Sequence, residues 1–278
     1  MTVELSCGRP RGPDFCDMAI LAETLGCSRV WIFDSTPLWE DPFVHLALAA
    51  QRTSRVGLGT AVLIPTERSA MAMASAIAAV DRLSDGRFRA CFGTGATARR
   101  TMGQRPMTLR VLESYVTAVR GLLAGATVTI DGKPARMLHV DGMTATRPVE
   151  VEIRLSVFGP RGIQLAGNIA DGIIGAPTPH PLPVATLMAG TVLEPGEDAD
   201  SDRVPEAVDA MPGGQAWREA LERLAPPGER HLLTYEGHVT HLTDQLAWLG
   251  ENVVREVIYT PSGPNVAREL KAFVAVCA

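Results

Sequence analysis

The stretch from Arg29 to Gly95 limits the fold more than any other part of the chain. Two apolar segments, Arg29–Asp34 and Val56–Ile64, each lead into a helical pattern. A third, Arg87–Phe92, ends in Gly93-Thr94-Gly95. Their apolar residues run together instead of alternating, which marks strands covered on both faces in a parallel sheet. Each ends in small or polar residues, where α/β proteins hold their ligands. This stretch is therefore the expected wall of an active site.

Five more segments of the same kind, Val3–Cys7, Val151–Phe158, Gly172–Ala176, Ala185–Val192 and Val254–Tyr259, bring the total to eight. Helical patterns intervene at Asp14–Gly26, Pro42–Arg52, Glu67–Leu83, Leu109–Ala124, Arg161–Ala170, Gln215–Leu224 and Thr240–Leu249, and Asn265–Val276 closes the chain. Such alternation predicts βα units around a parallel sheet. At 278 residues the chain fits one α/β barrel of roughly 250 residues better than two small domains. The expectation is a single domain over residues 1–278. Asp131-Gly132 predicts a hairpin turn outside the barrel. The second half is irregular. Only the Pro-rich 177–183 connection separates the sixth and seventh segments, too short for a full helix, and 194–212 reads as an acidic loop.

A net charge of −5 without a basic stripe argues against nucleic acid as a partner. There is no apolar leader and no apolar run long enough for a bilayer, so the expected location is the cytoplasm and no membrane contact is expected. Five scattered cysteines without a CxxC pair read as reduced thiols. His238 and His241 lie three apart but have no carboxylate or cysteine cluster with them, so no metal site is expected.

Several short motifs occur in a specific order. They are Ala22-Glu23-x-Leu25-Gly26, Val30–Asp34, Ala49-Ala50-Gln51-Arg52-Thr53, Gly59-Thr60-Ala61-Val62 with Pro65-Thr66, and Leu83–Phe88. Glu113, Gly159-Pro160-Arg161 and Ala170-Asp171-Gly172 follow. Their order and spacing resemble the bacterial luciferase-like superfamily, which includes methylenetetrahydromethanopterin-reductase-like proteins. The resemblance implies a (β/α)8 TIM barrel, here with a shortened second half, that binds either FMN or the deazaflavin coenzyme F-420 (F420, 8-hydroxy-5-deazaflavin).

It also implies a set of site residues. The family's third strand ends in a non-prolyl cis peptide beneath the flavin ring, and the matching bond is Ala61–Val62. Gly93-Thr94-Gly95 read alone is a turn; in the family context its bare backbone and the Thr94 hydroxyl would meet the cofactor. Ser156 to Arg161, with Gly159 opening a helix, resembles the family's phosphate-binding turn, and amides at a helix N-terminus suit an anion. Gly175 and Ala176 would add further amides. The loop Asp34–Trp39 is similar to the Asp-His-x-x-x-Trp loop of deazaflavin-dependent relatives, which assigns Trp39 and Ser35 to catalysis. Ser35 stands where those relatives have histidine, and Ala96 where an acid follows Thr-Gly. A proton would then come from Ser35, Thr36, Glu40 or ordered water.

The first expectation is an oxidoreductase that uses reduced F420 to deliver hydride to an unsaturated carbon or imine of a small organic substrate. The alternative is a luciferase-type FMN monooxygenase served by a separate flavin reductase. A further alternative is a barrel that has lost cofactor chemistry. A homodimer through the second and third helices follows from the resemblance, and the alanine-rich face of residues 70–78 permits close helix approach.

Overall fold

The continuous apolar runs become neighbouring strands of a closed, all-parallel barrel. The computed structural model describes residues 3–9, 14–138, 148–176, 180–192, 254–261 and 265–277. Its strands are β1 (Glu4–Arg9), β2 (Arg29–Ile32), β3 (Gly57–Thr60), β4 (Phe88–Gly93), β5 (Val128–Ile130), β6 (Lys133–Ala135), β7 (Glu152–Ser156), β8 (Gly172–Ile174), β9 (Val184–Gly190) and β10 (Val254–Pro261). Eight of them form the barrel in the order β1-β10-β9-β8-β7-β4-β3-β2, while β5 and β6 pair separately. The eight segments read from the sequence are these eight barrel strands. Asp131 and Gly132 both have positive φ between the paired Ile130 and Lys133, the backbone that a two-residue hairpin turn requires.

The helices are α1 (Phe15–Thr24), α2 (Pro42–Arg52), α3 (Ala70–Leu83), α4 (Ala96–Thr101), α5 (Leu109–Leu123), α6 (Gly159–Ile169) and α7 (Val266–Cys277). The pattern expected from Glu67 starts later. Pro65–Glu67 forms a 3-10 turn, and Ser69 Oγ caps α3 by accepting from the Ala72 amide at 3.2 Å. The short helix α4 has too few residues to show a periodic pattern, and the sequence did not predict it. The patterns at 215–224 and 240–249, the 194–212 loop, His238 and His241 lie outside the described residues.

Three motif residues clamp loops at the barrel end where the strands begin. One Glu23 oxygen accepts the amides of Ser54, Arg55 and Val56 at 2.9, 2.6 and 2.9 Å. These bonds pull its pKa down to about 2, against a small opposing effect of burial. Arg87 donates to the carbonyls of Ala50, Thr53, Val56 and Ser84, which neutralises the open C-terminal end of α2. Asp171 Oδ2 accepts from the Ile153 amide and from Arg120, each at 2.8 Å.

The larger apolar core lies between the barrel and its helices, and a second small cluster fills the barrel itself: Trp31, Ala61, Cys91, Ile174, Ala185 and Ile258. Charges share this interior. Arg154 Nη1 meets Glu256 Oε2 at 2.6 Å, while Glu256 Oε1 accepts from Ser6 Oγ at 2.6 Å and Trp31 Nε1 at 2.7 Å. Burial opposes the charge on Glu256, but Arg154 and these donors outweigh it and hold the carboxyl below its usual range. Glycine makes room for the ring. A Cβ on Gly59 would lie 2.5 Å from the Trp31 side chain.

Candidate functional site

Side chains alternate along a strand, so the residue two beyond an interior one faces the interior again. Counting on from Ser6, Trp31, Gly59, Cys91, Arg154, Ile174, Ala185 and Ile258 gives the next interior layer, at the strands' C-terminal ends. It consists of Gly8, Phe33, Ala61, Gly93, Ser156, Ala176, Leu187 and Thr260. Contacts agree with this parity. Phe33 packs on the small interior cluster, a Cβ on Gly8 would meet Ile258 and Phe33, and Met188, one residue past Leu187, packs on the outer core. This is the mouth of the barrel, where α/β barrels carry their active sites.

The layer is uneven. Along β3, β4, β7 and β8 it carries only Ala61, Gly93, Ser156 and Ala176. Along β2, β1, β10 and β9 it carries Phe33, Gly8, Thr260 and Leu187. The Ala61–Val62 peptide is cis. Beyond it the chain rejoins β4, as the Leu63 amide donates to the Cys91 carbonyl at 2.7 Å. A Cβ on Gly93 would lie 2.7 Å from Val62 Cγ2, and one on Gly95 would lie 2.7 Å from Ile64 Cγ2. The two glycines therefore let this segment fold against the end of β4. Gly95 also has φ of 70° and leads into α4.

The loop after β2 carries Ser35 and Trp39. The Ser35 carbonyl accepts from the amides of Leu38 and Trp39 at 2.8 and 2.9 Å, and the Trp39 ring lies 6.3 Å from Phe33 at a 50° tilt. Ser35 is 3% exposed, and its Oγ is buried with no hydrogen-bond partner among the described residues. An unmet buried hydroxyl is costly, so this atom is a natural contact for a bound molecule. Asp34 and Asp41 in the same loop both pair with Arg68, at 2.8 and 2.6 Å.

Of the residues read from the sequence, Ala61, Gly93, Ser156 and Ala176 share the mouth layer, with Val62, Ser35 and Trp39 on the adjoining segments. Thr94, Gly95, Gly159 and Gly175 lie outside that layer. The Thr94 carbonyl accepts the Met107 amide at 2.9 Å. Gly159 has φ of 70° with open space around it, and Phe158, exposed before it, supplies no side-chain cap to α6. The Gly175 amide is already bonded to the Ala185 carbonyl at 2.9 Å, so it has no proton to offer a phosphate. Phe33, Leu187, Thr260 and Gly8 were missed; counting in twos from Trp31 and Ala185 would have found the first two. Among the described residues no group of His, Cys, Asp and Glu could hold a metal ion, and no helix is long and apolar enough to cross a membrane.

Two observations are compatible with a planar, uncharged ring: the layer along β3, β4, β7 and β8 carries only small side chains, and Ser35 Oγ, on the loop after β2, is a donor without a partner among the described residues. The comparisons agree with the barrel. The chain is 35% identical over 163 residues to 5,10-methylenetetrahydromethanopterin reductase of Methanolobus tindarius, covering 56% of this chain and 48% of that protein. It is 34% identical over 180 residues to an F420-dependent glucose-6-phosphate dehydrogenase of Nakamurella multipartita, covering 59% and 52%. The chain thus spans about half the length of these curated relatives. Among solved structures, an F420-dependent secondary alcohol dehydrogenase in complex with an F420-acetone adduct superposes with a TM-score of 0.73 at 19% identity, over 99% of this chain and 98% of that one. Monooxygenase RslO1 from Streptomyces bottropensis gives 0.72 at 18% identity, over 99% and 97%. Both show the shared fold. The family model for luciferase-like monooxygenases matches residues 4–190, and the chain belongs to that family.

Proposed function

We propose that this protein is an oxidoreductase that uses reduced F420 to transfer hydride to an unsaturated carbon or imine of a small molecule. One observation carries the reading: the family match at residues 4–190 contains seven of the eight mouth residues, and the curated relatives of this chain include an F420-dependent dehydrogenase. Reduced F420 would supply the hydride when bound. The chain's own residues would bind and orient. Ala61 and Val62 form the floor for the ring, Ser35 Oγ donates a hydrogen bond to it, and Phe33 and Trp39 keep water from the reacting face. The uncapped first turn of α6, with the Arg161 and Gly162 amides and the Arg161 side chain, takes the coenzyme phosphate. Ser156 faces the mouth two residues before that turn.

A second reading has FMN in the same place, with a separate flavin reductase. It is favoured by structural likeness to a Baeyer-Villiger monooxygenase component in complex with FMN, at a TM-score of 0.68 and 14% identity. Titration of the full chain with F420 and with FMN, followed by tryptophan quenching, separates the two. F420 is expected to bind at about micromolar Kd, at least tenfold tighter than FMN. The reverse order favours the second reading, and binding of neither below about millimolar sinks both.

We also propose a homodimer through α2 and α3. Val44 and Leu48, 60% and 53% exposed, stand one turn apart on α2, and exposed Ala72, Ser75 and Ala79 on α3 allow a partner helix to come close.

A further inference from the structure

The mouth layer has one residue on or just past the end of each of the eight barrel strands: Gly8, Phe33, Ala61, Gly93, Ser156, Ala176, Leu187 and Thr260. None of them ionises. The interior charges Arg154 and Glu256 lie one layer or more below and are paired with each other. Among the described residues, three cations at the end of β1 and on the segments that follow β3 and β4 are also committed. Arg9 pairs with Asp14 at 2.8 Å, Arg68 with Asp34 and Asp41, and Arg99 donates to Thr66 Oγ1 and to the Arg105 carbonyl.

The bulk in this layer sits on one arc. Phe33 leans over Gly8, whose missing side chain is replaced by Ile258 and Phe33. Thr260 and then Leu187 continue the arc along β10 and β9. Leu187 is 38% exposed although its strand neighbours Ala185 and Thr186 are buried. A leucine turned toward an open mouth leaves apolar surface for a ligand to cover. Trp39, against Phe33, extends the same surface upward.

We infer that this arc is the substrate subsite, that it takes an uncharged and predominantly apolar molecule, and that Leu187 is a specificity-determining side chain. The inference rests on the preceding functional reading for its assignment of the small-residue half to the cofactor ring. A sugar phosphate would bring a dianion against Leu187 and Phe33, and an unpaired charge in an apolar site loses its hydration without compensation. A neutral enone of terpene size would instead bury its ring on the leucine and leave its carbonyl for the Thr260 hydroxyl.

The test is calorimetric binding of carvone and of glucose 6-phosphate to the full chain, first alone and then with saturating oxidised F420. Carvone is expected to bind at least tenfold tighter than the sugar phosphate in both conditions. Leu187→Asp should weaken carvone binding at least tenfold, and Leu187→Met should retain it within threefold; circular dichroism melts report whether each variant is folded. If Leu187→Asp does not fold, Leu187→Ala replaces it, with an expected loss of at least threefold. Equal or tighter binding of glucose 6-phosphate, or carvone affinity indifferent to residue 187 in folded variants, overturns the inference. Failure of F420 to bind overturns the functional reading instead, and the measurement without coenzyme still decides the polarity of the arc.

Discussion

Arg68 Nη1 lies 2.8 Å from Oδ2 of Asp34, whose side chain is wholly buried, and the same guanidinium reaches Asp41 at 2.6 Å. The pair ties the loop after β2 to the segment before α3. Burial works against the charge on Arg68, but the two carboxylates outweigh it and raise its pKa. Arg68→Ala removes the cation from a wholly buried carboxylate, and the expected loss is about 3–5 kcal/mol of stability, read from urea denaturation. Arg68→Lys should restore less than half of that, because an ammonium cannot span both carboxylates as the planar fork does. Full rescue by lysine would show that the bridging geometry is unimportant.

Ser35 gives a prediction of opposite sign for stability and binding. Its buried hydroxyl has no partner among the described residues, so Ser35→Ala should leave the stability of the free protein unchanged or raise it by about 1 kcal/mol. The same change should weaken F420 binding by about tenfold, the worth of one hydrogen bond to a bound ring. A destabilised variant with unaltered coenzyme affinity would place the hydroxyl in the fold and not in the site.

At Gly59 a side chain has nowhere to go. The added carbon of Gly59→Ala would press on the buried Trp31 ring at 2.5 Å and disturb the Trp31 bond to Glu256. Overpacking of this kind costs about 1–3 kcal/mol. Thermal melts should show the loss, accompanied by a change in tryptophan emission.

Glu23 sets a pH dependence. Its folded pKa of about 2 lies below the unfolded value of about 4.3. Its stabilisation is therefore complete above the unfolded value and disappears as pH falls toward the folded one. Glu23→Gln should cost about 1 kcal/mol at pH 7, a modest figure because solvent screens this carboxylate. The gap between wild type and variant should narrow between pH 4.3 and pH 2. A gap that stays constant across this window would mean that charge on Glu23 is not what holds the loop.

Leu48→Glu tests the dimer. Sedimentation is expected to show a dimer for the wild-type chain and a monomer for the variant, since a charge on that face would have to be desolvated on association. A variant that remains dimeric moves the interface elsewhere.

The eight strands were legible because a strand buried on both faces leaves an unbroken apolar run, which survives without knowledge of its neighbours. The hairpin at Asp131-Gly132 was legible for a similar local reason. The roles of Glu23, Arg87 and Asp171 were not. Each appears in a motif, but its partners are mostly backbone amides and carbonyls of segments far away in the chain, and no side-chain pattern records those. The charged interior was hidden in the same way, since Arg29, Arg154 and Glu256 sit in strands where the pattern expects apolar side chains. At the site, Ala61–Val62 came from the resemblance alone. Gly175 as an amide donor follows from its position at a strand end, which carries no trace of its bond to the Ala185 carbonyl.

The clamps Glu23, Arg87 and Asp171 hold the end of the barrel opposite the mouth. Foldability and selectivity are thereby lodged in separate residues that share few contacts, and effects at such distant positions add nearly independently. A library that randomises Leu187, the exposed member of the arc, should consequently lose few members to misfolding. The same barrel could be turned toward new acceptors one side chain at a time, with its assembly left untouched.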